Sequence, residues 1–302
     1  MHARPYIYLI VAALLFGALF PLNKMAAEAG VPPLAYAFWQ SAGSGLALFI
    51  CAAAVGHRIP GGRVALTFYL MVGALGLGLP IALLVFAAPH LPANLVTLVL
   101  ALSPPLTFLF SVLVRVQRFR WLGLVGVGLG FSGILLLIGP KNAVISGSEA
   151  TGWFLLCLLA PCLFAMANVA ANMLRPPAAT SAPLAAGIQL GSAAGLLPLC
   201  VTAGQIGWMP RGLGMGELAL ALAILIFFAF IWLFLEIIRL SGAIFFAQFN
   251  YLAVMAGLLW SWLIFGEAVP ASLWAALALT TLGVMVLSYA LRRQPAPIPT
   301  NR

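Results

Sequence analysis

Asn23, Lys24, Gln40, Asn94 and Thr97 in the first half of the chain, and Asn168, Asn172, Gln189, Glu236, Gln248 and Asn250 in the second, stand inside or at the ends of long apolar runs. Amides, a hydroxyl, one cation and one carboxylate can bind a polar solute by hydrogen bonds and charge. They are poorly suited to making or breaking covalent bonds. An intramembrane protease or transferase needs paired carboxylates, a nucleophile beside a base, or a His-based metal set. All five acidic residues are Glu, and the three His (His2, His57, His90) are scattered, with none deep in an apolar run. Cys51, Cys157, Cys162 and Cys200 lie in or beside apolar runs and read as small buried hydrophobes. Cys157 and Cys162 lack the spacing of a zinc or redox pair. The residues therefore predict neither an enzyme, nor a metal site, nor a cofactor.

The elements that must position these side chains follow from composition. Of 302 residues, 64% are hydrophobic and 6% charged. A water-soluble domain carries about 25% charged residues, so the expected solvent is lipid. The apolar runs fall at roughly 6–24, 34–55, 65–88, 92–114, 119–139, 151–174, 183–204, 216–239, 243–265 and 271–291. Each has about the 20 residues that a helix needs to cross the hydrocarbon core. Backbone groups in lipid must bond internally, and the two-residue alternation of a membrane barrel is absent, so the spans are predicted helices. His2 and Arg4 before the first run resemble a signal peptide. The run is long, however, and Pro21, Asn23 and Lys24 follow it without a small-residue cleavage site, so an uncleaved first helix is expected.

The net charge is +9. The basic residues sit between apolar runs and are not interleaved with exposed aromatics, which argues against nucleic acid as a partner. With the N-terminus inside, the inner loops and tails hold eleven of the fourteen: Arg4, Arg58, Arg63, Arg115, Arg118, Arg120, Arg175, Arg239, Arg292, Arg293 and Arg302. The outer loops hold the other three, Lys24, Lys141 and Arg211. That bias predicts both termini in the cytoplasm and a multi-pass protein of the inner (cell) membrane. Trp153, Trp208, Trp262 and Trp274 then fall near the outer interface and Trp121 near the inner one, as an aromatic belt requires.

Five crossings per half invert the second half relative to the first. The expected architecture is an all-α membrane protein with ten transmembrane helices in two inverted five-helix repeats: residues 1–140, residues 141–293, and a disordered Pro-rich tail at 294–302. Internal similarity supports the repeat. A shift of 150 superposes Ala37, Ser41 and Gly45 on Gly187, Gly191 and Gly195, two small-residue stripes that allow close helix approach. A shift of about 152 carries Arg115 onto Glu267, and one of 144 carries Leu15 to Lys24 onto Leu159 to Asn168. Inverted repeats are frequent in secondary transporters.

The polar side chains follow the same inversion. Asn23, Lys24, Gln40, Asn94 and Thr97 fall in the outer parts of spans one, two and four. Asn168, Asn172, Gln189, Gln248 and Asn250, with Glu236, fall in the inner parts of spans six to nine. Together with Trp232 and Tyr251 they form the predicted substrate pathway. It has one polar ring near each mouth and an apolar middle lined by Phe16, Phe20, Trp39, Phe164, Trp232 and Tyr251. The competing reading is interhelical glue, at about 0.6 kcal/mol per side chain. Lys24 attracts an anionic group or snorkels into the headgroups. Glu236 is a proton or cation site, or pairs with Arg239 one turn on. Glu267, closing the ninth span, reads as a cap or loop contact. Pro21, Pro80, Pro104, Pro105, Pro161 and Pro198 lie within spans and are expected to bend or break them. Gly126-x-x-x-Gly130 suits packing within the chain or a dimer seam, so a homodimer stays open.

These residues resemble the drug/metabolite transporter superfamily, in its EamA-like family. Phe16-Gly17 through Phe20 to Lys24 is similar to the family's Trp-Gly-x-x-Phe start followed by Lys. Ser103-Pro104-Pro105-Leu106 is similar to its mid-helix Pro in the fourth span. Tyr251 through Gly266-Glu267 is similar to the Tyr and Gly-Glu that bracket the ninth. After the fourth span, Val114-Arg115 stands where Gly-Glu is expected. The resemblance implies export of amino acids, related small metabolites or drugs by alternating access. An anion or sugar-phosphate exchanger of the same superfamily is the alternative, although it would want several cations and the pathway offers Lys24 alone. A membrane scaffold or receptor without transport is the alternative of another class. The expected partners are a small-molecule substrate and the lipid bilayer.

Overall fold

The computed structural model describes residues 4–57, 59–117, 119–138, 148–174, 176, 181–210, 212, 214–246, 249–267 and 270–292. Among them the chain is helical throughout, with no strand. We number the helical rods in chain order. They are α1 (Arg4–Glu28), α2 (Pro33–Ala54), α3 (Arg63–His90), α4 (Ala93–Leu113) and α5 (Trp121–Ile138), then α6 (two pieces, Ser148–Cys157 and Leu159–Leu174), α7 (Ser181–Thr202), α8 (Met215–Phe246), α9 (Phe249–Phe265) and α10 (Ala271–Arg292). Seven described helices are long and apolar enough to cross a membrane, and the apolar stretches in α5, α9 and α10 are shorter. The protein is a multi-pass membrane protein.

The rods track the predicted spans, with one marked departure. α8 has 32 residues, because the helix continues through Ser241-Gly242 to Phe246 where a loop was expected. Ser and Gly weaken a helix without stopping it, and the apolar run that follows continues the span.

The prolines act unequally. α1 and α7 run unbroken through Pro21 and Pro198. In α4, Leu100–Leu102 tightens to a 3₁₀ turn immediately before Ser103-Pro104-Pro105. Two consecutive residues without N–H groups leave the preceding carbonyls without their usual helical donors, and the turn changes pitch there. In α3 the residues Tyr69–Gly78 form a π-helix that returns to α geometry at Leu79-Pro80. π turns usually occur singly, so ten such residues form a wide section. Its Gly73, Gly76 and Gly78 press against Ile188 and Ser192, Ala167, and Leu196 respectively, so the absence of side chains offsets the extra girth.

Packing pairs rods from different halves of the chain. α1 lies against α8 and α9, while α6 lies against α3 and α4; α2 packs on α7 and α5 on α10. The two small-residue stripes are both close contacts, with different partners. A Cβ on Gly45 would meet Gln189 and Leu190 of α7, whereas Gly187, Gly191 and Gly195 press on Tyr69 and Ala74 of α3. Gly126 meets Gly283 and Leu287 of α10, and Gly130 meets Pro105, so the Gly-x-x-x-Gly motif packs within the chain.

Candidate functional site: a polar clasp at the Lys24 end of the bundle

The ends of α1, α4 and α9 meet at one carboxylate. α9 stops at Phe265, and Gly266 turns the chain with φ +64°, a left-handed value that glycine adopts without a Cβ clash. That turn aims Glu267 back at the bundle. Its Oε1 accepts from Lys24 Nζ at 2.7 Å and from the backbone N–H of Ala93 at 3.0 Å, and its Oε2 accepts from the N–H of Asn94 at 3.1 Å. Ala93 and Asn94 open α4, where backbone N–H groups have no partner within the helix and the helix dipole favours negative charge. Lys24 also lies 4.6 Å from the centre of the Phe265 ring. Side-chain exposures of 16% for Lys24 and 13% for Glu267 mean that water screens this pair little. Charge-assisted bonds of this kind contribute about 1.5–3 kcal/mol each.

The rest of the predicted outer group gathers nearby, Gln40 excepted. Asn23 is buried and its Oδ1 accepts from Tyr36 Oη of α2 at 2.9 Å. Asn94 and Thr97 are buried at the start of α4; Thr97 Oγ1 donates to Ala93 O at 2.8 Å and its side chain packs on Gly257 of α9. A second tie closes the same end. The Gln205 side chain accepts from Leu34 N–H at 3.0 Å, capping α2 from the loop after α7, and Trp39 Nε1 donates to Trp208 O at 3.1 Å.

Gln40 is buried on the α2 face that meets α7. There Ser41 Oγ and Ser192 Oγ are 2.8 Å apart, Gln189 Nε2 donates to Ser44 Oγ at 2.8 Å, and Ser44 Oγ donates to Gln40 O at 2.7 Å. This chain of bonds joins two helices and sets Gln189 beside Ser44 and Gly45, about one turn further along α2 than Gln40.

At the other end, Asn168 on α6 is exposed and its Nδ2 donates to Thr107 Oγ1 of α4 at 3.3 Å. Glu236 is half-buried and Trp232 exposed on α8, the latter with its ring 6.3 Å from that of Tyr8. Asn172, Asn250 and Tyr251 occupy helical positions on α6 and α9, but their side chains, like that of Arg239 and the whole of Gln248, lie outside the described residues. Between the two ends Phe16 contacts Phe20, Phe230 and Phe249, with ring centres 6.0, 4.9 and 5.4 Å away. Phe230 and Phe249 were missed in sequence, where one Phe among many carries no signal of which face it occupies. A separate cleft of about 420 Å³ between α1, α9 and α10 has walls of Ile10, Leu14, Met255, Leu259, Trp262 and Trp274. Those side chains are apolar and exposed, so it is a groove on the outside of the bundle and not part of the polar site.

An all-helical bundle with a polar clasp at one end and hydroxyl and amide ties between its halves fits a membrane transporter. Residues 3–139 match the family model of the EamA-like transporter family, in agreement with the resemblance read from the motifs at Phe16 to Lys24 and Ser103 to Leu106. No curated protein matches the chain. A protein of known crystal structure superposes with a TM-score of 0.60 at 23% identity, over 97% of this chain and 99% of that one. At that identity the likeness establishes the fold alone.

Proposed function

We propose that the protein is a secondary transporter of the inner membrane, with ten crossings in two inverted five-helix repeats (residues 1–140 and 141–293) and both termini cytoplasmic. It exports amino acids, related small metabolites or drugs by alternating access. The observation that carries this reading is the exchange pattern in the packing. α1 sits on α8 and α9 as α6 sits on α3 and α4, which is what a two-fold relation between the halves produces. Two further correspondences support it. Arg115 and Gly266, 151 positions apart, both end their helices with positive φ, 59° and 64°. Ser41 and Ser192, also 151 apart, face each other directly.

In this reading the solute passes between the halves, from Asn168, Asn172, Glu236, Gln248, Asn250 and Tyr251 at the inner mouth, past Phe16 and its aromatic neighbours, to Asn23, Asn94 and Thr97 at the outer one. Gln40 and Gln189 tie α2 to α7 beside that path, and Trp232 flanks its inner part. Lys24 is already neutralised by Glu267 in this conformation, which weighs against the anion-exchanger alternative. The test is a metabolite screen on liposomes carrying the purified protein, with and without a pH gradient. Saturable efflux of a small set of solutes supports the reading. No flux above protein-free liposomes refutes it and favours a scaffold.

A further inference from the structure

We infer that the Glu267 carboxylate is the latch of the outer gate, and that the protein rests with that gate closed. The inference deepens the transporter reading and rests on it. Three acceptor contacts converge on one side chain from two helices, α1 through Lys24 and α4 through Ala93 and Asn94. Both of those helices belong to the first half, and Glu267 belongs to the second. Any motion that opens this end by parting α1 and α4 from the turn after α9 pulls the carboxylate out of all three bonds together. The Gln205–Leu34 and Trp39–Trp208 bonds cross between the same halves at the same end, so they reinforce the latch.

The opposite end is built differently in sequence. The left-handed turns at Arg115 and Gly266 move the sequence alignment by one residue, so the equivalent of Glu267 is Val116 and not Arg115. Valine has no acceptor and no charge, so the repeat lacks a reciprocal latch at that position. One mouth is therefore tied by a charged network that the equivalent position of the other cannot form. Near that second mouth the exposed Asn168 makes a neutral bond across the halves, to Thr107 at 3.3 Å, in place of the three charge-assisted contacts of the latch.

The experiment uses the full chain with Cys51, Cys157, Cys162 and Cys200 replaced and one reporter cysteine added. Thr97→Cys reports from beneath the latch, because Thr97 is fully buried one turn below Asn94. Asn168→Cys reports from the exposed inner position. Each is labelled with a membrane-impermeant maleimide, from outside in spheroplasts and from inside in inverted vesicles. Glu267→Gln and, separately, Lys24→Met should raise outside labelling at position 97 about tenfold, the equivalent of losing one charge-assisted hydrogen bond. Inside labelling at position 168 should fall in the same variants. Glu28→Gln, an exposed carboxyl at the end of α1, should change neither rate. If Glu267→Gln fails to insert, Lys24→Met gives the same reading. Unchanged labelling, or rates that rise together at both positions, overturns the latch, since the network would then only hold helices together. Failure of the transporter reading is separate: it appears as absence of flux from the parent protein in the liposome screen, whereas flux with unresponsive labelling refutes the latch alone.

Discussion

Replacing Gly191 by Ala should destabilise the bundle, although Ala is the better helix former. A Cβ built on Gly191 lies 2.6 Å from the carbonyl carbon of Tyr69 and 2.8 Å from its Cβ, both well inside ordinary contact. The obstructing atoms are mostly backbone, in the π-helical section of α3, so no side chain can swing away. α3 and α7 must move apart, and the Gly73 contacts with Ile188 and Ser192 on the same seam loosen with them. Overpacking of this kind costs about 1–3 kcal/mol. The helix-propensity gain of Gly→Ala offsets up to about 1 kcal/mol. Contacts this short against backbone put the cost in the upper part of that range, so the net expectation is a loss of about 1–2 kcal/mol, seen as a fall of several degrees in the midpoint for loss of the monodisperse peak when detergent-purified protein is heated. Gly128→Ala is the control, because nothing lies within 4 Å of its added Cβ and it keeps the propensity gain. Equal stability of Gly191→Ala and the parent, or an equal fall in Gly128→Ala, would refute the close approach of α3 and α7.

Three other outcomes follow from the same geometry. Arg115→Gly should stabilise the protein by up to about 1 kcal/mol in that thermal assay, because a left-handed non-glycine residue carries about that strain; no gain would mean that the arginine side chain makes a compensating contact. Gln189→Leu removes the donor to Ser44 and should lower stability by about 0.6–1.7 kcal/mol, the range for hydrogen bonds between membrane helices. Reporter fusions after Arg58, Arg120 and Arg292 should read cytoplasmic, and fusions near Asn142 and Trp208 periplasmic; a periplasmic signal from Arg292 contradicts ten crossings.

Sequence showed the helical rods because apolar length and internally satisfied backbone leave lipid-embedded segments few options. It read Glu267 as a cap or loop contact, and it left the Gly126 motif between packing within the chain and a dimer seam. It could not show which helix terminus Glu267 reaches. That depends on the left-handed turn at Gly266 and on α4 beginning beside α9, both long-range outcomes of packing. It placed Gln40 and Gln189 at opposite mouths because depth was counted along each span. The Ser41–Ser192 contact fixes the register of α2 on α7 and leaves the two residues about one turn apart on the same seam. The wide section of α3 left no clear trace, since Gly73, Gly76 and Gly78 read as ordinary membrane-helix glycines before their neighbours on α6 and α7 are known.

Counterflow in liposomes tests the central claim most directly. Vesicles carrying the protein are loaded with an unlabelled amino acid or other solute identified by the screen, and a trace of its labelled form is added outside. Alternating access predicts a transient accumulation of label above equilibrium that saturates with internal solute, because only one mouth opens at a time and each carrier returns loaded. Label that merely equilibrates, at a rate independent of the internal solute, would mean an open pore or no specific passage, and would contradict the account.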